Sequence, residues 1–78
     1  MYDEIEFSVP RRSDVILTVF DVLGRKVRTL VNEIMDPGNF TIPWYGKSES
    51  GVLAASGTYV IRLNVGNETK VQKGLILR

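Results

Sequence analysis

The chain has 78 residues, of which 44% are hydrophobic and 24% are charged, and it contains no cysteine and no histidine. A chain this short builds a single hydrophobic core, so we expect one domain over residues 1–78. The formal net charge is +1 with both signs interspersed, which argues against a nucleic-acid-binding module because that needs a concentrated positive face. No apolar run approaches the ~20 residues that cross a bilayer, so membrane insertion is not expected.

Apolar and polar residues alternate at period two along the chain, which predicts strands. The first strand carries Ile5, Phe7 and Val9 on one face and ends at Pro10, because proline has no N–H for the ladder. The second strand, residues 14–21, is apolar on both faces, which is typical of a strand in the middle of a sheet. Its two faces carry Val15, Leu17 and Val19 on one side and Ile16 and Phe20 on the other.

Turn residues separate the next strands. Gly24 supplies a positive φ in a hairpin turn at residues 23–25, and the return strand runs over residues 26–32. A second turn at residues 36–39 contains a Pro-Gly pair, and Pro43 places the strand that follows at a sheet edge. Phe40, Ile42 and Trp44 share one face of that strand.

The C-terminal third begins after the longest connection, residues 45–56, with a possible short strand at 52–53. The clearest strand covers residues 57–65, and a hairpin turn leads from it to a final strand over residues 69–78. One face of the clearest strand carries Tyr59, Ile61, Leu63 and Val65.

The final strand does not alternate cleanly, because Lys73 shares its parity with Val71, Leu75 and Leu77. Either Lys73 reaches solvent at the rim of the core, or a bulge at Gly74 shifts the register. Six or seven short strands with turns between them and no helix predict an all-β fold, a small antiparallel β-sandwich of immunoglobulin-like type.

The composition contains few of the residues that commonly act in catalysis or bind metals. Without histidine and cysteine, the chain lacks the commonest general base, the thiol nucleophile and the soft metal ligands. The remaining hydroxyls, lysines and carboxylates do not occur at the spacing of a known site, so we predict a non-catalytic domain with no cofactor and no metal. Asp3, Glu4 and Glu6 lack the loop spacing of a calcium site and are interpreted as a solvated strand face.

Three groups of residues offer binding surfaces, each with a structural alternative. Trp44 and Tyr45 would stack on a sugar ring, but the parity of Trp44 favours a place in the core. Ile16, Phe20 and Val60 face away from the main core, so either a loop covers them or they form a docking surface. The densest cations either pair across strands as a recognition patch or simply keep exposed strands from pairing edge to edge, and they are Arg25, Lys26, Arg28, Lys70, Lys73 and Arg78.

An ordered set of segments, together with Lys70 and Lys73, carries a resemblance over essentially the whole chain: residues 5–10, 19–27, 30–33, 37–38, 44–46, 55–59 and 74–78. They resemble the type IX (Por) secretion system C-terminal sorting domain, type A. The Asn-Pro-rich linker that usually precedes that domain is not in this sequence, and the position after Trp44, often acidic in the family, is Tyr45. A related family, the immunoglobulin-like domain of flagellar hook-capping proteins, shares the Trp-x-Gly and Gly-x-Tyr elements.

The resemblance implies an immunoglobulin-like sandwich that acts as an address on a longer exported protein. The parent would carry an upstream catalytic or binding domain, cross the periplasm, and reach the cell surface or the medium through an outer-membrane translocon. A sortase-like peptidase commonly removes such domains. Residues 1–4 are acidic where a signal peptide has a basic region, so we expect any export signal upstream on the parent.

The resemblance also implies the recognition residues. Its glycine-tyrosine segment maps onto Gly57, Tyr59 and Val60, and its terminal basic motif onto Lys70, Lys73 and Arg78. The final strand would be the part that the machinery contacts, through Gly74, Leu75, Ile76, Leu77 and Arg78. Two alternatives stay open: a carbohydrate-binding accessory module of a secreted glycoside hydrolase, and a structural interaction domain as in hook capping.

Overall fold

The computed structural model describes residues 3–76 and confirms an all-β fold. Its strands are β1 (Asp3–Val9), β2 (Ser13–Phe20), β3 (Lys26–Met35), β4 (Gly38–Trp44), β5 (Gly57–Val65) and β6 (Glu68–Ile76). They form a two-stranded sheet, β1–β4, and a four-stranded sheet in the order β3–β2–β5–β6, and every pairing is antiparallel. The two sheets make a small sandwich of immunoglobulin-like type. Across the described residues, no helix has the length and apolarity to cross a membrane.

The core lies between the facing sides of the two sheets. β2 contributes Val15, Leu17 and Val19, which are fully buried because β2 lies between β3 and β5, the central place that its two apolar faces predict. β1 contributes its predicted apolar face, and β4 contributes Trp44. The Trp44 indole N–H donates to the Lys47 carbonyl at 3.0 Å, so this large side chain is buried with its polar atom satisfied.

The turn from β2 to β3 is held by Asp21. Gly24 has φ 82°, the positive value that the sequence predicts. The Asp21 carboxylate accepts the backbone N–H of Arg25 at 2.9 Å and of Leu23 at 3.0 Å, and the Arg25 Nε at 2.8 Å. Because the Arg25 backbone N–H, the Arg25 side chain and the Leu23 N–H all favour the ionised form, the pKa of Asp21 lies below its usual value.

Element boundaries differ from the sequence prediction at several places, and β4 begins at Gly38, inside the turn predicted at residues 36–39. β3 continues to Met35, beyond the expected end at residue 32, because β2 offers it partners as far as Ser13. Between β4 and β5 there is an isolated bridge from Lys47 to Leu53 in place of the short strand predicted at 52–53. Leu53 is largely exposed there, so burial gives a longer strand no support.

In β6, the side of the strand that was expected to face the core faces solvent. β5 and β6 pair without interruption from Val65–Glu68 to Gly57–Ile76, so there is no bulge at Gly74. Gly74 and Ile76 are buried on the core side, whereas Lys73 is exposed on the opposite side of the sheet. Val71 and Leu75 share the side of Lys73, so neither explanation offered for the lysine was right.

Candidate functional site

The side of the four-stranded sheet that faces away from β1–β4, called here the outer face, is apolar and basic. The pairing registers place its side chains in cross-strand rows: Phe20, Val60 and Lys73 in one row, Thr18, Arg62 and Val71 in the next, and Thr58 opposite Leu75. Apolar side chains remain open to solvent on this face, with Ile16 38%, Val71 63% and Leu75 54% exposed. Ile16, Phe20 and Val60 therefore face away from the core, as their parity predicts.

Arg62 covers part of this face. Its guanidinium lies over the Phe20 ring, 4.6 Å from the ring centre, within the range of a cation–π interaction. Phe20 is thereby half-buried without contributing to the core. The sequence analysis did not single out Arg62, although its parity with Val60 on β5 places both on one side.

The residues implied by the resemblance do not form one surface. Val60, Lys73 and Leu75 lie together on the outer face, with Val60 directly opposite Lys73. The other predicted residues lie on the opposite side of the sheet, which faces the core. There Gly57 lies opposite Ile76, Tyr59 opposite Gly74, and Lys70 opposite Leu63. Leu77 and Arg78 lie outside the described residues. Val71 belongs to the exposed group but was not among the residues that the resemblance implies.

The aromatic pair at the core is structural. The Tyr59 hydroxyl donates to the Ala55 carbonyl, and the Tyr59 ring meets Trp44 edge-on at a centre distance of 5.0 Å. Trp44 is only 1% exposed, so its ring faces are not available to stack on a sugar. The core position that the parity of Trp44 favours is confirmed, Tyr59 is buried beside it, and the carbohydrate-binding alternative loses its main aromatic platform.

The predicted cation patch is divided between the two edges of the sheet. β3 and β6 are separated by β2 and β5, and three strand spacings amount to about 14 Å. On the β3 side, Arg25 pairs with Asp21, and the Arg28 Nη1 donates to the Ser48 carbonyl at 3.0 Å. These two arginines therefore hold a turn and a loop, so the described cations do not form one cross-strand patch, and the alternative that such residues keep exposed strands from pairing edge to edge stays a prediction.

A groove opens between the edges of the two sheets, where β1 lies beside β6 without pairing to it. This β1/β6 groove has a volume of about 540 Å³. Its apolar lining includes Phe7, Leu63 and Val65, and its polar lining includes Glu68 and Lys70. The sequence analysis missed it, although polar residues at the core-side positions of β6 are the signal of a strand that the opposite sheet does not cover.

Two acidic side chains of β1 lie on a solvated surface. Glu4 and Glu6 are exposed and stand opposite Pro43 and Thr41 of β4. Within residues 3–76, no three carboxylate, imidazole or thiolate side chains come together as a metal site would require.

Comparison with known proteins adds no relative. No family model matches the chain, and no curated protein and no solved structure is significantly similar to it. The resemblance to a sorting domain therefore depends on the quoted residues and stays a prediction.

Proposed function

We propose that this domain is a non-catalytic sorting domain that directs its parent protein across the outer membrane to the cell surface or the medium. The observation that carries the proposal is the exposed apolar and basic side of the β5–β6 hairpin. Val60 and Lys73 stand opposite each other there, beside the exposed Val71 and Leu75. None of these side chains belongs to the core. Val71, Lys73 and Leu75 lie on β6, the strand that the resemblance implies is recognised.

The physical basis is the chemistry of protein recognition surfaces. A contiguous apolar patch with charges near it is typical of a surface that another protein covers. A hairpin within a four-stranded sheet holds such side chains in fixed positions, so little entropy is lost when a partner binds. The partner in this proposal is an outer-membrane translocon, and the upstream catalytic or binding domain is its cargo.

Export of a reporter tests the proposal directly. Residues 1–78 are fused to the C-terminus of a periplasmic reporter in a host with a type IX system, and the reporter is measured in periplasm and medium. We expect export with the wild-type domain and a reduction of at least fivefold with the double substitution Lys73→Glu and Leu75→Ser. Retention of the wild-type fusion in the periplasm would falsify the proposal.

The control must separate recognition from folding. Deletion of residues 74–78 is unsuitable, because Gly74 and Ile76 belong to the buried side of β6 and their loss would unfold the domain. The matched control is the double substitution Lys26→Glu and Leu23→Ser, which makes the same two chemical changes at exposed positions near the opposite edge of the sheet. It should leave export unchanged, and circular dichroism should show that both variants are folded.

Processing belongs to the same proposal. A sortase-like peptidase would remove the domain after transport, so the surface form of the fusion should be lighter than the periplasmic form by about the mass of the domain. Intact-mass measurement of the two fractions checks this. Equal masses would show that this host exports the fusion without removing the domain.

A second candidate is a structural interaction domain that associates with itself through the outer face. The exposure of Ile16 and the half-buried state of Phe20 and Val60 favour it. Sedimentation equilibrium should then show a mass that rises with concentration. A monomer at all concentrations would remove this candidate and leave the sorting proposal untouched.

A further inference from the structure

β6 has an edge that another strand can use. It is nine residues long, pairs with β5 at every position from Glu68 to Ile76, and is the last strand of its sheet in the described part of the chain. It contains no proline, and its pairing with β5 has no register shift. A straight edge strand of this length presents a row of backbone N–H and C=O groups, which is a template for a further strand.

The side chains of β6 disfavour a second copy of this chain as that strand. Lys70 and Lys73 project to opposite sides of the sheet, and lysines on an edge strand discourage edge-to-edge pairing. In the full-length antiparallel register centred on Gln72, a second β6 would set no carboxylate opposite either lysine. The edge thus favours a strand of different sequence, with a carboxylate opposite each lysine.

The β1/β6 groove gives such a strand room on the core side. Every second side chain of a strand added to β6 would point toward the apolar lining that includes Phe7, Leu63 and Val65. The alternate side chains would lie on the outer face beside Val71 and Leu75, which are largely exposed. Apolar side chains therefore fit on both sides of the added strand, between its two carboxylates.

We propose that the edge of β6 accepts an extended acidic segment of a partner protein, by addition of a strand to the four-stranded sheet. The backbone of β6 supplies the ladder, Lys70 and Lys73 each meet a carboxylate, and the groove takes an apolar side chain. This inference deepens the proposed function and rests on it for the identity of the partner, a translocon component. The binding edge itself is a property of the purified domain.

The test uses a designed probe, the nine-residue peptide Thr-Val-Val-Glu-Val-Val-Glu-Thr-Thr. Antiparallel to β6, it sets one glutamate opposite Lys73, one valine opposite Gln72 and the other glutamate opposite Lys70. We expect the domain to bind it with slowed amide hydrogen exchange along β6 and NMR shifts at Phe7 and Leu63. The same peptide with lysine in place of both glutamates should bind roughly tenfold more weakly, since favourable cross-strand pairs become unfavourable ones.

Charge reversal in the protein tests whether Lys70 and Lys73 are the residues that contact the peptide carboxylates. The variant Lys70→Glu with Lys73→Glu should prefer the lysine peptide, and the control Lys26→Glu, on β3 at the opposite edge, should keep the wild-type preference. No binding of the glutamate peptide at millimolar concentration would overturn the inference. Equal affinity for both peptides, shifts confined to β3, or dimerisation of the domain through β6 would also overturn it.

The two proposals fail separately. If the peptide binds as expected but the wild-type fusion stays in the periplasm, the strand-accepting edge stands and the sorting function fails. If the fusion is exported but the peptide does not bind, the sorting function stands and the strand-accepting edge fails.

Discussion

Gly24 occupies a backbone conformation in the β2–β3 turn that other residues adopt only with strain. Its φ is 82°, and apart from its two chain neighbours no residue has a heavy atom within 4 Å of where a Cβ would stand. A Gly24→Ala substitution should therefore cost about 1–2 kcal/mol of unfolding free energy, from backbone strain alone. Gly24→Asn should cost less, because asparagine tolerates this region better. Urea denaturation measures both, and equal costs would show that a contact other than backbone strain is involved.

Asp21 makes the stability of this turn depend on pH. Its pKa is lowered in the folded state, so its ionised form contributes stability that is complete above the ordinary aspartate pKa of about 3.9. That contribution is lost as the pH falls through the lower, folded-state pKa. Asp21→Asn should therefore flatten the dependence of unfolding free energy on pH below about pH 4, measured by urea titration at several pH values. An unchanged slope would show that other carboxylates determine it.

At the scale of the strand, β6 has a buried side and an exposed side that adjacent substitutions distinguish. Ile76 is 0% exposed and Leu75 is largely exposed. Ile76→Ala should cost about 2–5 kcal/mol, because it leaves a cavity in the core. Leu75→Ala should cost about 0.5 kcal/mol or less, as expected for a surface position. Thermal or urea unfolding measures both, and a reversed order would mean that β6 alternates as the sequence analysis assumed.

The misassigned side of β6 shows that alternation cannot tell which side of a strand is buried when both sides carry apolar residues. β2 and β5 were predicted correctly because their core-side residues form unbroken apolar sets. β6 carries apolar residues on both sides, so its parity did not say which side is buried. The register with β5 decided this by setting Gly74 opposite Tyr59, on the side where the large ring occupies the core. The mixed candidate site has a different origin, because its residues come from the resemblance, and two of them, Tyr59 and Ile76, are core residues.

At the scale of the whole molecule, the two sheets share one core, in which Trp44 on β4 contacts Tyr59 on β5. A domain of this size usually unfolds in one cooperative step. Because Trp44 lies where the sheets meet, its fluorescence reports on sheet contact, whereas far-ultraviolet circular dichroism reports on the strands. We expect the two unfolding curves to coincide.

The alternative outcome would locate a weak boundary in the fold. If Trp44 fluorescence changed at lower urea than the circular dichroism, the β1–β4 sheet would separate before the four-stranded sheet melts. The substitution Val52→Ala, at an exposed position in the 45–56 connection, is a control that should shift neither curve.

The sequence by itself determined the strands, most of their bounds, the β2–β3 turn and the core, because period-two alternation and turn chemistry are local properties of a chain. Only the tertiary structure decided that β3 and β6 are the edge strands of the four-stranded sheet, which side of β6 is buried, and that the cations of β3 and β6 are far apart. These depend on the order of strands and the register between them, which residues distant in sequence set by packing against one another. The outer face and the β1/β6 groove arise at that level, because a two-stranded sheet covers a four-stranded one only in part.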